Sequence, residues 1–362
     1  MRTTSEKIFL VFFFPVVIGF YLIYKYPTWF VDQSAVADTF YWFGKSTSFW
    51  YNTLYTGIVC FICGKVLLSG STPYGKDKTK ALSSYQKKKF ASIFTAQLVF
   101  FYLLPFYLPV LLGKQDFFGD TYAPLNKNAY VYVYNGFTSI GGFVYIFVLI
   151  PLIVWFFGKR YCSWFCACGN LAEAIGVTKW GNKWVTDRTP RGALSRRLEW
   201  LQYAFLVFAV LFGVVLFLDG WKILSAPNLV SSMRAFQDLA VDLMFGALIG
   251  VGAYPFLGTR IWCRFGCPLA GMMRLHGKFA KSKFQVVAND KCQGLNLCTT
   301  QCPMGIDVAT YAHKERVPTQ GQFGLQNSPC IGCGGCIDIC PVQALSFKKV
   351  LNPNLKSVAH GS

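Results

Sequence analysis

Fourteen cysteines carry most of the readable chemistry of this chain. Near the C-terminus, Cys330-x2-Cys333-x2-Cys336-x3-Cys340-Pro341 is a complete bacterial 4Fe-4S run. In such runs three thiolates hold one cluster and the fourth reaches to its neighbour. The same template laid upstream reads Cys292-x2-Leu295-x2-Cys298-x3-Cys302-Pro303, with leucine in the second ligand slot. Cross-ligation therefore assigns Cys330, Cys333, Cys336 and Cys302 to a 4Fe-4S cluster, and Cys292, Cys298 and Cys340 to a site with three thiolates. Leucine cannot bind iron. The second site is expected to hold a 3Fe-4S cluster, with a 4Fe-4S cluster bearing a non-cysteine ligand as the alternative. Because cluster type and charge set reduction potential, the two sites should differ in potential.

Two more pairs, Cys162-x3-Cys166 and Cys263-x3-Cys267-Pro268, follow the basic steps Gly158-Lys159-Arg160 and Gly258-Thr259-Arg260. Each precedes a helix-compatible segment, and Pro268 suits the first position of one. Helix dipoles and the guanidinium groups of Arg160, Arg260 and Arg264 should favour thiolates there. The two steps read as an internal repeat of a helical unit plus cysteine pair about one hundred residues apart, and if that repeat brings the pairs together, Cys162, Cys166, Cys263 and Cys267 supply the ligands of a third cluster at the membrane edge. The alternative is structural thiols or a dithiol pair without metal. Cys168 has no slot in this scheme. Cys60 and Cys63 share one face of an apolar run and read as small buried hydrophobes. No catalytic residue stands out.

The elements that must position these cysteines are apolar. Residues are 54% apolar and 18% aromatic with only 14% charged, more hydrophobic surface than one soluble core of this size uses. Runs long enough to cross about 30 Å of hydrocarbon lie at 8–24, 51–69, 90–112, 137–157, 200–218 and 239–257. The first is not followed by a small-residue cleavage site and reads as a retained helix. The expected fold class is an α-helical membrane protein of about six transmembrane helices with a C-terminal α+β two-cluster ferredoxin domain. Its expected divisions are 1–135 (helices one to three), 136–285 (helices four to six with both Cys-x3-Cys motifs), 286–348 (the ferredoxin domain) and 349–362 (a tail).

The net charge of +19 is read by location. Lys76, Lys78, Lys80, Lys87, Lys88 and Lys89 face Asp77 alone after the second run. Lys159, Arg160, Lys179, Lys183, Arg188, Arg191, Arg196 and Arg197 outnumber Glu173, Asp187 and Glu199 after the fourth. The alternate connections are balanced, so the positive-inside rule expects both termini in the cytoplasm. Anionic membrane lipid accounts for the basic excess without nucleic acid.

There is no Cys-x2-Cys-His motif, no Gly-x-Gly-x-x-Gly and no P-loop, and His276, His313 and His360 lie outside the apolar runs. No haem and no nucleotide cofactor are expected, and electrons must enter and leave through quinone or partners. Residues 307–317 read as a short helix whose His313 is solvated. His276 and Glu173 are the candidate proton acceptors near the inner face, and Asp242 reads as interfacial.

Several helices, two membrane-edge Cys-x3-Cys motifs of which the second is followed by Pro268, and a C-terminal ferredoxin module resemble the membrane polyferredoxin family of NapH, NosR and CcoG type. The resemblance covers roughly residues 137–347. Ala167 stands where the family has proline, and Leu295 where a cysteine is usual. What the resemblance implies is electron exchange between a quinol pool and a redox partner or multisubunit respiratory complex of a bacterial inner membrane. The chain would then be an electron-transfer subunit of a quinol dehydrogenase or reductase. A copper-reducing assembly factor is the alternative, weakened by the few residues after Phe347, and a redox-sensing regulator would lack a recognisable output domain.

Overall fold

The computed structural model describes residues 2–75, 80–107, 111, 131–138, 140–279 and 284–348. The tail 349–362 with His360, Lys76, Asp77 and Lys78, most of the connection 113–136, and residues 108–110 and 112 of the third apolar run lie outside the described residues. In chain order the principal helices are α1 (Thr4–Lys25), α2 (Thr47–Ser69), α3 (Ser84–Phe106) and α4 (Ile140–Trp164). Then come α5 (Ala167–Gly176) and α6 (Lys179–Arg188). Next are α7 (Gly192–Gly220) and α8 (Pro227–Gly252), and last α9 (Pro268–Phe279). Six of these, α1 to α4, α7 and α8, are long and apolar enough to cross a bilayer, with mean hydropathy between 1.4 and 2.5. In hydrocarbon each backbone amide must find its partner within the segment, and a helix provides that. Their outward faces carry exposed Phe61, Phe143, Leu152 and Leu211, as lipid-facing surfaces do. The chain is a multi-pass membrane protein.

Helix boundaries follow local capping. Ser46 Oγ accepts from the Phe49 amide to start α2, and Gly70, at φ +63°, ends it, so Gly64 and Lys65 leave the helix unbroken. Ser83 Oγ accepts from the Gln86 amide and starts α3 six residues before the expected apolar run. The basic turn Lys87–Lys89 is thereby helical rather than loop, and Lys89 is carried into the interior.

The repeat seen in sequence is a repeat of backbone. α4 breaks at Gly158, φ +62°, and α8 is followed by Gly258, φ +82°, conformations that favour glycine. One residue more separates Gly258 from Cys263 than separates Gly158 from Cys162. Both motifs close with the same wide turn, the Cys166 amide donating to the Tyr161 carbonyl and the Cys267 amide to that of Trp262.

The C-terminal module is built on β1 (Gln285–Ala288), flanked antiparallel by β2 (Gln322–Gly324) and β3 (Leu345–Phe347), with Val286 opposite both Phe323 and Phe347. The segment expected as a helix over 307–317 is instead a four-residue helix, Ala309–Ala312, leading into a hairpin of His313–Lys314 with Val317–Pro318. His313 Nε2 sits 2.8 Å from Asn296 Oδ1 on the exposed surface. One cluster of buried side chains runs from Ile146 and Val154 of α4 and Phe205 of α7, through Met273 of α9, to Val286, Phe323 and Leu345 of the sheet. The module is thus packed onto the helices by a shared apolar core, not hung beneath them.

Candidate iron-sulfur centres

Within the module, Cys302, Cys330, Cys333 and Cys336 line one cavity together with Met304, Ile331 and Phe323. These are the four cysteines that cross-ligation groups. Gly332 and Gly334, at φ +63° and +79°, let the loop fold closely around that cavity. A Cβ at Gly332 would lie 2.7 Å from the Phe284 ring. The Gly332 amide donates to Cys330 Sγ at 3.4 Å, and the Ala344 amide to Cys340 Sγ at 3.2 Å, the type of bond that tunes cluster sulfurs. Burial and the nearby Cys340 and Cys292 raise the Cys298 thiol to about 11. Cys292, Cys298 and Cys340 are partly exposed, as are Cys333 and Cys336, whereas Cys302 and Cys330 are buried. Leu295 is itself exposed.

Replacing Leu295 by cysteine tests the three-thiolate assignment. Mildly oxidised wild-type protein should give a 3Fe-4S paramagnetic resonance signal, and Leu295→Cys should replace it with a second 4Fe-4S signal after reduction. Wild-type protein with two 4Fe-4S spectra and no 3Fe-4S species would sink the assignment.

At the membrane edge, Cys162, Cys166, Cys263 and Cys267 line a second cavity, with Cys168, Trp262 and Phe101 in its wall. Cys166 caps the N-terminus of α5 and Cys267 immediately precedes α9, so both second cysteines sit at helix starts. A hydrogen bond from Cys168 holds the Cys166 thiol down at about 7 against the effect of burial, with help from the Gly169 and Cys168 amides. Burial pushes Cys267 well up. Of the three arginines expected to favour thiolates, Arg260 reaches a cysteine sulfur, with Nη1 3.8 Å from Cys263 Sγ and 2.8 Å from the Cys162 carbonyl. Arg160 instead lies among the rings of Tyr85, Trp164, Phe284 and Phe347 at 4.3 to 5.8 Å. Arg264 pairs with Glu199 at 2.7 Å.

Each of the two cavities is lined by a set of four thiols, the ligand number of one iron-sulfur cluster. Four thiols around a void suit a larger inorganic core, which would supply one-electron transfer.

Between the two cavities lies a charged network that the sequence did not disclose. Glu173 of α5 pairs with Lys89 of α3 at 2.8 Å and with Arg260. Tyr74 Oη donates to the same carboxylate at 2.9 Å. Lys89 Nζ also donates to the Cys333 carbonyl at 3.0 Å, while Arg260 donates to that of Cys162. One buried carboxylate therefore ties a backbone group of one cysteine set to a backbone group of the other. Burial alone would raise the Glu173 pKa, but Lys89 and Arg260 hold it at about 2. A carboxylate so committed is unsuited to accept quinol protons, which corrects the role expected for it. His276 is lowered by its half-buried setting. Asp242 is buried within the protein and accepts from Gln237 Nε2 at 3.2 Å, with Nζ of Lys25, the last residue of α1, 3.8 Å away. The available sequence signal for the network was a lone acid seven residues after Cys166 and a lysine directly preceding an apolar run.

Helical spans, a docked ferredoxin module and cysteine-lined cavities define a membrane iron-sulfur electron-transfer protein. A family model described as a 4Fe-4S dicluster domain matches residues 291–345. An uncharacterized protein of Methanocaldococcus jannaschii is 26% identical over 203 residues, covering 55% of this chain and 68% of that protein. The putative electron transport protein YccM of Escherichia coli is 25% identical, covering 54% of this chain and 52% of its own length. The ferredoxin-type protein NapH of Escherichia coli is 26% identical, covering 53% and 63%. The chain thus spans between about half and two thirds of these relatives. The chain is thus similar, at about one quarter identity, to ferredoxin-type and electron-transport proteins that carry such a module. No solved structure matches the chain.

Proposed function

We propose that this protein passes single electrons between a quinol in the bilayer and a redox partner protein of a respiratory chain. The relay runs through the cysteine set Cys162/Cys166/Cys263/Cys267, then Cys302/Cys330/Cys333/Cys336, then Cys292/Cys298/Cys340. The observation that carries it is a pair of four-cysteine cavities, one among the helices and one in the docked module, with Cys292, Cys298 and Cys340 of the same module partly exposed. A quinol at one end and a soluble protein at the other are the partners such a succession suits. The test is anaerobic addition of quinol to iron-loaded protein in lipid nanodiscs, followed by paramagnetic resonance. Reduction of the module's clusters by quinol is expected in the wild type and is lost in Cys263→Ser; clusters that only dithionite reduces would overturn the reading.

The same proposal places the protein in a bacterial inner membrane with both termini in the cytoplasm, as the basic connections after the second and fourth spans favour. Reporter fusions after Lys80, Arg191 and Phe347 should read cytoplasmic, and one after Arg234 should read outside. A Phe347 fusion that reads outside would invert the topology and with it the side on which a partner docks.

A further inference from the structure

A cavity of about 600 Å³ lies among α1, α2, α3, α7 and α8 and is not used by any cysteine set. We infer that it is the quinol-binding site, with Gln97 and Gln237 accepting from the quinol hydroxyls and Asp242 receiving the released protons. The inference rests on the relay proposed above and assigns its membrane end.

Position is the first argument. Phe101, Ala167, Cys168 and Trp262 line this cavity and also the cavity ringed by Cys162, Cys166, Cys263 and Cys267. The two spaces share a wall, so a ligand in the larger one is separated from the cysteine set by a single layer of side chains.

Chemistry is the second. Gln97 and Gln237 are almost wholly buried, at 2% and 1% exposure, and both line the cavity. Each has its amide nitrogen engaged, Gln97 with Thr56 Oγ1 at 3.1 Å and Gln237 with Asp242 Oδ1 at 3.2 Å. Each carbonyl oxygen finds no partner among the described residues. A carboxylate only accepts, so the Gln237 amide cannot be turned round, and its Oε1 is a fixed acceptor. Two buried acceptors without donors are costly, and a ligand that brings hydroxyls satisfies them. Quinone carbonyls cannot, so these two glutamines favour the reduced form. The aromatic walls, among them the stacked pair Tyr24 and Tyr51 at 4.5 Å, suit a planar ring.

Oxidation of one quinol breaks its two O–H bonds and yields quinone, two protons and two electrons. The electrons leave singly across the Cys168–Trp262 wall to the cysteine set, and two equivalents of an oxidised one-electron protein carrier finally accept them. Each proton passes to the Asp242 carboxylate and on to water past Lys25, whose side chain is about one third exposed.

The test is equilibrium binding of a short-tailed benzoquinol and a short-tailed naphthoquinol to iron-loaded protein in nanodiscs under anaerobic conditions, with the matching quinones alongside. At least one quinol should bind more tightly than its quinone. Gln97→Leu should weaken that quinol about tenfold, as loss of one buried hydrogen bond does, and Val17→Trp should block the cavity without altering a polar group. Dithionite-reduced cluster spectra of both variants should match the wild type, which shows folding and cluster content intact. Unchanged binding in both variants, or no quinol binding in the wild type, overturns the site. If binding is lost in the variants but quinol fails to reduce the wild-type clusters, the site stands and the relay falls; if quinol reduces the clusters while both variants bind normally, the relay stands and the site falls.

Discussion

Changing Cys162 and Cys263 together to serine is expected to lower the iron content from about eleven atoms per chain to about seven, while the signals of the ferredoxin module persist. Together the substitutions remove one thiol from each half of the repeat, leaving Cys166 and Cys267 of the four that line the cavity. Two ligands do not retain a cubane against loss to solvent, whereas the module's four-cysteine cavity contains neither mutated residue. Iron and acid-labile sulfide analysis decides the matter, since seven irons in wild type and variant alike would leave the membrane-edge cysteines as structural thiols. Cys168→Ser is the control: it lies in the same wall without belonging to the four, and should keep about eleven irons.

The largest effect on stability should come from Glu173→Leu. Leucine would leave Lys89 and Arg260, both fully buried, without their shared counter-charge. Breaking a buried ion pair from one side costs about 3–5 kcal/mol. Thermal unfolding of the purified full chain should show a lowered midpoint, and a double variant that also carries Lys89→Met should recover part of it. A midpoint equal to wild type would mean that the network holds nothing together. The pH dependence has a definite sign. The folded pKa, about 2, lies below the ordinary value of 4.5, so the folded state prefers the ionised group. Its contribution is full above pH 4.5 and fades as pH falls toward 2, and the leucine variant should lack that part of the acid sensitivity.

Much of the architecture was legible because the membrane imposes strong rules. The six spans could be read from hydropathy, since a bilayer offers backbone groups no alternative to the helix, and the ferredoxin module was readable because cluster ligation fixes cysteine spacing. Boundaries slipped where polar residues were recruited into the interior. Lys89 counted as a loop charge, yet the Ser83 cap extends α3 beneath it, and Glu173 supplies the partner that makes its burial tolerable. The Gly-x-Arg repeat suggested two equivalent arginines. Arg160 and Arg260 in fact have different roles because their surroundings differ, one a ring of four aromatics and the other a carboxylate. The 600 Å³ cavity left no trace in the sequence, since Gln97, Gln237 and Asp242 come from separate positions on two helices and line one space only when packing joins them.

The docking of the module has a consequence for how such a protein would behave in use. Ser163 Oγ donates to the Ile331 carbonyl at 2.7 Å, Tyr85 to that of Gly332, and Gln86 Nε2 to that of Cys333 at 3.0 Å, so three successive carbonyls of the cysteine loop are clamped by membrane helices. Arg160 fills the seam between Phe284 and Phe347 of the module and Tyr85 and Trp164 of the helices. A carrier mounted in this way works as fixed wiring rather than as a swinging arm. Its internal transfer rate should not respond to solvent viscosity, and diffusion enters only where a ligand or partner arrives and departs.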